Sequence, residues 1–253
     1  MSATTVVVLT RNEAANIADC IASTGGRFDV LVVDSGSSDD TRQNAAGLGA
    51  RVLENAWPGY GPQLTFALQH VTTPWTLILD ADERLAPPLV EEIAAFTVRD
   101  DVDGLRILRD NYFLGKHIRH SGWGNDYVLR LFRTAKGGIS NDVSHARTLL
   151  EGRIERSRHP MRHLSYVSIQ QLTRKIARFS SNGAIMKRQQ GKRGGLGAAI
   201  AHGLWAFLRC YVLQRGFLDG REGFIIAAYN AHVAYYKYLK LAYDKDIVTA
   251  TND

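Results

Sequence analysis

The sequence has little cysteine and, over its first 103 residues, no lysine. The two cysteines, Cys20 and Cys210, lie far apart and lack a C-x-x-C spacing. This argues against a disulfide framework and a cysteine-based zinc site, and it fits a reducing compartment. The N-terminal stretch MSATTVVVLTRNE has no basic segment and only a short apolar core. We therefore expect no signal peptide.

Two common phosphate-binding loops are also missing. No G-x-G-x-x-G motif follows the first predicted strand, and no G-x-x-x-x-G-K motif occurs in the 253 residues. Interpretations as a dinucleotide-binding protein or a P-loop enzyme therefore lack the loops that would hold their phosphates.

Acidic and basic residues are unevenly distributed along the chain. Residues 1–103 carry a net charge of −9 and residues 104–253 a net charge of +15, giving +6 overall. Within 153–193, eleven Lys or Arg residues accompany a single acid, Glu155. The high positive charge of the C-terminal part favours a polyanion, an anionic membrane or a phosphorylated substrate as partner. The alternative is a basic face that is only solvated.

The first hundred residues alternate between Val-rich apolar runs and amphipathic stretches. The runs predict strands at 4–10, 30–35, 50–55, 75–80 and 104–109. The stretches between them predict helices at 12–23, 37–49, 61–71 and 87–96. This alternation predicts an α/β fold with a mostly parallel sheet and helices on both faces.

The pattern changes after residue 108. Aromatic and β-branched residues broken by glycines predict antiparallel hairpins, and the chain from about 167 onward is predicted to be helical. We expect neither long C-terminal segment to span a membrane, since polar residues interrupt both: His202, Arg209, Asn230, His232, Lys237 and Lys240. The aromatic and basic pattern fits a helix in the headgroup region, or packing against the core or a dimer mate. The predicted domains are 1–165 and 166–253.

The stretch DADE at 80–83 places three carboxylates directly after the apolar run WTLIL. Like charges crowded beside a buried strand repel unless a cation compensates. Asp80 and Asp82, two positions apart, are able to converge on one oxygen-seeking divalent cation. Ligands of open parallel sheets bind beyond the carboxyl ends of the strands, where Asp34 is also predicted to lie. Taken alone, an aspartate such as Asp34 is more often a helix cap or turn residue than a ligand-binding one.

Several of these stretches together resemble a known family. VVVLTRNEAANI, VLVVDSGSSDDT, GYGPQLTFAL and WTLILDADERL are similar to the nucleotide-sugar motifs of family 2 inverting glycosyltransferases with the GT-A fold. GWGNDYVLRLFR, NDVSHA, HPMRHLSY and RGFLDGREGF resemble the bacterial subgroup that adds glucose or a related sugar to a heptose of the lipopolysaccharide inner core. The resemblance covers about residues 4–243.

The resemblance implies roles for particular positions. Residues on the side of the UDP-sugar donor would be Thr10, Arg11, Asn12, Glu13, Asp34, Gln63, Asp80 and Ala81. Asp82 would be the main ligand of Mg²⁺ or Mn²⁺, with Asp80 contacting the ribose or metal-bound water. Trp123 and Asp126 would line the sugar and acceptor pocket. The acceptor would also meet Arg130 and Arg162.

Two positions depart from the family pattern. Leu64 and Thr65 follow GPQ where a basic residue and then Asn are usual. More consequentially, the family's HE pair is His145-Ala146, so the Glu expected to act as general base is missing. An engineered inactive variant, a substitute carboxylate or altered natural chemistry would each explain this. We favour the first, because the other parts of the apparatus are present. Substitute carboxylates would be Asp142 and Asp126, and His145 would hold the loop or a phosphate.

The expected activity is therefore inverting transfer of a hexose, most simply glucose from UDP-glucose, to an inner-core heptose. The basic stretch 153–193 would meet acceptor phosphates, and the C-terminal helices would hold the protein on the cytoplasmic face of the inner membrane or in a homo-oligomer. A polyprenyl-phosphate acceptor is one alternative. A non-catalytic nucleotide-sugar-binding protein is another, supported by Ala146. A nucleic-acid partner is not expected, since no motif for one is present.

Overall fold

A computed structural model describes residues 2–140 and 147–244. Asp142, His145 and Ala146, three of the four predicted catalytic positions, lie outside the described residues. What the resemblance implies for them therefore stays a prediction.

The described residues form twelve strands and seven α-helices. The strands are β1 (Thr4–Thr10), β2 (Asp29–Asp34), β3 (Arg51–Glu54), β4 (Trp75–Ile78), β5 (Glu83–Leu85), β6 (Gly104–Phe113), β7 (Lys116–His117), β8 (Asp126–Arg133), β9 (Gly137–Ile139), β10 (Thr148–Leu150), β11 (Ile154–Arg156) and β12 (Met161–Tyr166). The α-helices are α1 (Ile17–Ala22), α2 (Thr41–Gly47), α3 (Tyr60–Leu68), α4 (Pro87–Phe96), α5 (Ile169–Gln189), α6 (Leu196–Leu208) and α7 (Gly220–Tyr243). A π-helical segment, Arg209–Leu213, continues α6, and a 3₁₀ turn, Gly216–Asp219, precedes α7.

Ten of the described strands form one mixed sheet. Its order is β3-β2-β1-β4-β8-β6-β12-β5, with β7 and β11 also paired to β6, while β9 and β10 form a separate hairpin. Strands β1 to β4 are parallel neighbours, and β8 runs antiparallel to both β4 and β6. The predicted parallel β-α half followed by antiparallel strands is confirmed. The parallel half brings the carboxyl ends of β1, β2 and β4 to one edge.

Strand β1 shows why the Val-rich runs form the centre of the sheet. Successive side chains point to opposite faces of a strand. Val6 and Val8 accordingly join one hydrophobic cluster, while Val7 joins another, and all three are fully buried. A strand covered on both faces needs a continuous apolar run rather than alternation, as the sequence has here.

The chain divides into two compact units. The sheet unit contains the described parts of residues 1–110 and 126–163, and the helical unit contains residues 111–125 with the described residues from 164 onward. The boundary near residue 164 lies next to the predicted one at 165. The segment 111–125 differs from the prediction, because it belongs with the helices.

The helical unit has a small core of its own. Phe113, Tyr166, Leu172 and Tyr229 belong to one buried cluster, and the Tyr166 hydroxyl donates a 3.0 Å hydrogen bond to the Tyr229 hydroxyl. Helix α5 begins after Ser168, whose side chain accepts a hydrogen bond from the Gln171 backbone N–H at 3.2 Å. This is an ordinary N-cap, and it satisfies a backbone donor of the first turn.

One helical stretch corrects an expectation about the C-terminal segments. Among the described residues, Leu196–Leu213 is long and apolar enough to cross a membrane, judged by length and composition only, with a mean hydropathy of 1.4. The expectation that no C-terminal segment would meet this test was wrong. One arginine and one histidine are too few to offset the many Leu and Ala residues of this stretch.

Candidate active site

Two loops are tied together at the carboxyl edge of the parallel strands. Asn12, which follows β1, donates its backbone N–H to Ser37 Oγ at 2.8 Å and accepts the Ser38 N–H on Oδ1 at 2.9 Å. Glu13 N–H donates to Thr41 Oγ1 at 2.8 Å. These bonds use residues that the sequence pattern had assigned to helices α1 and α2. Both helices therefore start later than predicted, at Ile17 and Thr41.

Asp34 ends β2 and is fully buried. Its carboxylate accepts hydrogen bonds from Thr10 Oγ1 at 2.9 Å, from the Gly36 N–H at 3.0 Å and from the Ser37 N–H at 2.8 Å. Ser37 Oγ is a further donor. Asp34 thus serves as a turn residue, which is the alternative to uridine binding at this position. Its contact with uridine stays a prediction, and it would require exposure of this carboxylate.

Gln63 on α3 connects the loops that follow β2 and β3. Its Nε2 donates to Ser35 Oγ and to the Asn55 carbonyl, both at 3.1 Å, and its Oε1 accepts from Asn55 Nδ2 at 2.7 Å. The Gln63 side chain is fully buried, and its hydrogen bonds to Ser35 and Asn55 fix the positions of both loops. Gln63 therefore positions this wall of the site, and direct contact with a nucleotide stays a prediction.

The acidic stretch after β4 directs one carboxylate inward. Glu83 is fully buried, and its Oε1 lies 2.6 Å from Arg130 Nη2 and 3.6 Å from Arg109 Nη1. Its other oxygen accepts the Asp80 N–H at 2.9 Å. Burial raises the pKa of Glu83, and the attraction of Arg130 opposes that effect.

Asp80 shares the same arginine. Arg130 Nη2 also donates to Asp80 Oδ2, so one guanidinium compensates two carboxylates. Burial and the nearby Asp80 raise the pKa of Tyr60 to about 12, so its hydroxyl keeps its proton at neutral pH. The crowding of acids that suggested a divalent cation is therefore met, for Asp80 and Glu83, by a side chain 50 and 47 residues away. Arg130, predicted as an acceptor contact, would have to leave this pair to reach one.

Asp82 has a different environment from its two acidic neighbours. Its side chain is 30% exposed, and its Oδ2 lies 3.6 Å from Nε2 of His163 on β12. Strand β12 pairs with β5 so that His163 stands opposite Glu83. Asp82 and His163 together offer a carboxylate oxygen and an imidazole nitrogen at the surface of the acidic turn.

The backbone of this turn is held rigidly. Arg84 Nη1 donates to the carbonyls of Ala81 and Glu83 at 2.7 and 2.8 Å, and its Nη2 donates to the Asn16 carbonyl at 2.9 Å. Ala81 is buried, so it lines the turn from inside and offers no side chain to a ligand. Burial raises the pKa of Cys20 to about 12, which makes this thiol unreactive.

Three further predicted residues occupy distinct places in the sheet unit. Asp126 on β8 pairs with Arg109, whose Nη2 lies 2.6 Å from Oδ2. A base role for Asp126 would need this pair to open. Arg162 on β12 is exposed and stands opposite Arg84 in the strand register. Arg11, on the loop after β1, is exposed too.

Trp123 lies in the helical unit. Its ring stacks on Tyr166 with centroids 6.1 Å apart, and it lines a cavity of about 400 Å³ together with Trp205, Arg209 and Lys237. Burial and the neighbouring Lys187 lower the pKa of Lys237. The cavity wall thus combines two indole rings with basic side chains.

Two residues at the acidic turn, His163 and Glu83, have no role that the sequence predicts. His163 belongs to the quoted motif HPMRHLSY, but no spacing rule connects it with a carboxylate 81 residues earlier. Glu83 was quoted with its neighbours, yet only the antiparallel pairing of β5 and the approach of β8 direct it towards Arg130.

Comparisons with known proteins agree with this geometry. The family model described as glycosyl transferase family 2 matches residues 5–154. An uncharacterized glycosyltransferase of Rickettsia felis is 30% identical over 254 residues, which cover 92% of this chain and 87% of that protein. A lipopolysaccharide core biosynthesis glycosyltransferase, LpsC, of Rhizobium meliloti is 30% identical over 237 residues, which cover 90% of this chain and 87% of that protein.

A solved structure resembles part of the chain. The crystal structure of glucosyl-3-phosphoglycerate synthase from Mycobacterium tuberculosis, in complex with Mn²⁺, uridine diphosphate and glucosyl-3-phosphoglycerate, covers 42% of this chain and 43% of that chain. The identity is 26% and the TM-score is 0.37.

The family model spans more than half of the chain, and it contains the two tied loops and the acidic turn. The mixed sheet with its parallel half agrees with the GT-A fold that the resemblance implied. This chain is a glycosyltransferase that belongs to glycosyl transferase family 2.

Proposed function

We propose that this glycosyltransferase moves a hexose, most simply glucose, from a UDP-sugar to a heptose of the lipopolysaccharide inner core, with inversion of the anomeric centre. The acceptor class is supported by the lipopolysaccharide core glycosyltransferase that is 30% identical over 90% of this chain. The observation that carries the donor side is the partly exposed Asp82 on a rigid acidic turn at the carboxyl edge of parallel strands.

The tied loops after β1 and β2 would form the nucleoside side of the site. Arg11 and the backbone around Asn12 lie at the surface of this wall, while Asp34 and Gln63 hold it from inside. A preformed wall costs little ordering when a ligand binds, because its side chains are already fixed.

The residues of the acidic turn fit a divalent cation held partly by the donor. No group of three or more His, Cys, Asp or Glu side chains within 2–140 and 147–244 has an arrangement that could hold a metal ion. Asp82, with or without His163, would hold Mg²⁺ or Mn²⁺, both of which prefer oxygen ligands. When bound, such an ion would neutralise charge on the departing diphosphate. Asp80 would have to release Arg130 to join it.

The acceptor hydroxyl must lose a proton as it attacks the anomeric carbon. The family position for that base carries Ala146, and Asp126 is paired with Arg109. A single in-line displacement accounts for inversion whichever carboxylate takes the proton.

The experiment is a UDP-release assay with UDP-glucose, Mn²⁺ and a heptose-containing core acceptor, for the native chain and for Ala146→Glu. Restoring a positioned base is expected to raise the rate by about 10²–10⁴-fold. The same rate in both variants would show that another carboxylate is the base. Binding of UDP-glucose without turnover in either variant would contradict the transfer function.

A second candidate function is favoured by one observation. Because Ala146 cannot act as a base, a nucleotide-sugar-binding protein without turnover would have this site. The same assay, combined with calorimetry of UDP-glucose binding, separates the two functions.

We also propose a peripheral location on the cytoplasmic leaflet of the inner membrane, where a lipid-linked acceptor would be reached. Some side chains of the basic stretch 153–193 are engaged within the protein and do not support this location. Arg153 pairs with Asp101 and Glu155 at 3.0 and 2.8 Å, and Arg156 lies over the Tyr127 ring at 4.8 Å. A self-associated form is the alternative use of the helical unit.

A further inference from the structure

The helical unit exposes a group of large apolar side chains where the chain turns from α6 to α7. Each is between 49% and 64% exposed, far more than a packed side chain. We call this group the apolar tip: Leu204, Trp205, Leu208, Val212, Leu213, Phe217, Leu218 and Phe224.

Aromatic contacts connect Phe217 and Phe224 of the tip to two half-buried rings at the end of α6 and in the π-helical segment. The half-buried Phe207 ring lies 5.5 Å from Phe224, and the half-buried Tyr211 ring lies 6.3 Å from Phe217 and 5.7 Å from Phe224. The end of α6 and the start of α7 are thereby held side by side. Contiguous exposed apolar surface of this kind marks an interaction site more often than scattered apolar residues do.

The turn within the tip is tightly built. A Cβ on Gly223 would lie 1.9 Å from the Gly216 carbonyl oxygen, and one on Gly216 would lie 2.8 Å from the Cys210 carbonyl oxygen. Arg215 adopts a positive φ of 56° between the π-helical segment and the 3₁₀ turn. Only glycines allow these backbones to approach so closely, so a larger residue at either position would force the turn apart.

The charges around the tip are positive. Arg209, Arg215 and Arg221 are exposed. The acids of the same segment are already used, because Asp219 is buried and accepts hydrogen bonds from the Arg119 and His120 backbones, and Glu222 pairs with a lysine at 2.9 Å. An apolar surface with a cationic rim is complementary to the headgroup region of an anionic bilayer.

The packing of α6 against α7 argues for insertion at the surface rather than a full crossing. A Cβ on Gly194, just before α6, would meet the Tyr238 carbonyl at 2.3 Å, and one on Gly203 would meet the Ala231 carbonyl at 3.4 Å. The helices therefore run alongside each other over most of α6. If α6 crossed the hydrocarbon, the adjacent α7 would carry Lys237 and Lys240 into it. Burying these charged side chains in hydrocarbon would cost much free energy.

We propose that the apolar tip inserts into the interfacial region of an anionic lipid bilayer and holds the helical unit there. This deepens the proposed peripheral location by naming the element that enters the membrane. The tip would lie at headgroup depth, with Trp205 near the boundary that indole rings prefer. The three arginines would meet lipid phosphates.

The test is sedimentation of the full chain with vesicles of phosphatidylcholine alone and with phosphatidylglycerol added. The tip variant is Leu213→Gln with Leu218→Gln. The matched control is Leu48→Gln with Val98→Gln in the sheet unit, where both side chains are also exposed. We expect native binding only with phosphatidylglycerol, at least about tenfold weaker partitioning for the tip variant, and little change for the control.

Three outcomes would overturn the proposal. The first is that the native chain does not bind anionic vesicles. The second is that the tip variant and its control lose vesicle binding equally. The third is that ultracentrifugation shows a dimer of the native chain and a monomer for the tip variant alone. The last would assign the tip to a second copy of the chain. Calorimetry with UDP-glucose on the same variants keeps the proposals apart, since failure of donor binding affects the proposed transfer alone.

Discussion

The sheet unit and the helical unit of this glycosyltransferase treat apolar surface in opposite ways. Of the nineteen large hydrophobic residues that are exposed in the described part of the chain, fifteen lie in the helical unit. The sheet unit instead buries two large clusters, one on each side of β1. A unit that leaves this much apolar surface in water is expected to be covered by something else.

Charged side chains are divided between the two units in the same sense as apolar ones. The sheet unit places Glu83 and Arg130 in its interior, where their positions are fixed by packing. The helical unit keeps Arg209, Arg215 and Arg221 exposed around the tip. The contrast indicates that the first unit is built to hold ionised groups in one geometry, and the second to meet a large, charged partner. The following predictions would break or sharpen this contrast.

The largest effect is expected from Arg130→Leu, which leaves Glu83 buried without its main cation. Removing one partner of a buried ion pair should lower the free energy of unfolding by about 3–5 kcal/mol. The control Arg27→Leu breaks a pair whose side chains are 53% and 64% exposed, and it should cost less than about 1 kcal/mol. Urea unfolding followed by circular dichroism measures both. Equal losses in the free energy of unfolding would show that the buried pair contributes no more to stability than the exposed pair.

A second pair of variants compares apolar residues across the units. Leu79→Ala removes a fully buried side chain of the sheet unit and should cost about 2–5 kcal/mol, through lost burial and a cavity. Leu204→Ala in the tip, where the side chain is 61% exposed, should change stability by less than about 0.5 kcal/mol. The same urea titration applies. A large loss for Leu204→Ala would show that the tip is packed in solution.

A third prediction concerns Asp82. Asp82→Asn should weaken Mn²⁺-dependent binding of UDP by at least about tenfold, as even indirect partners of metal ligands commonly contribute 10–100-fold. Asp101→Asn, which changes an acid of the exposed Arg99 and Arg153 cluster, should leave this affinity unchanged. Calorimetric titration with and without Mn²⁺ measures the effect. Unchanged binding in Asp82→Asn would remove this carboxylate from the donor site.

The smallest effect is a pH dependence at Asp103, a largely buried acid of the sheet unit that pairs with the half-exposed Lys136. Lys136 donates to Asp103 at 2.6 Å and lowers the pKa of that carboxyl. Asp103 therefore stabilises the fold fully above its unfolded-state pKa of about 3.9, and this contribution is lost as pH falls through the lower folded-state pKa. Asp103→Asn should lower Tm at pH 7. The difference in Tm between the native chain and this variant should become smaller as the solution becomes strongly acidic. Asp100→Asn, a fully exposed acid, is the control in thermal scans.

Much of the sheet unit was predictable because its signals are local. The apolar run 4–10 predicted β1 with its observed bounds, and PPLVEEIAAF predicted α4 at Pro87–Phe96. Helices α1 and α2 begin later than predicted, since Asn12 and Ser37 bond across the two loops instead of entering helices. Periodicity reports which residues are apolar, but it does not report hydrogen bonds between loops that are 25 residues apart.

The sequence by itself determined the family, the alternating elements and the acidic stretch after β4, because each depends on residues that are neighbours in the chain. Only the tertiary structure decided which of the three acids faces inward and which cation it meets. Glu83 and Asp80 meet Arg130, while Asp82 faces His163. This happens because β8 pairs antiparallel with β4 and β12 pairs antiparallel with β5, which brings Arg130 and His163 to the acidic turn. Coulomb interactions act over a few ångströms of space, and distance along the chain does not reveal them.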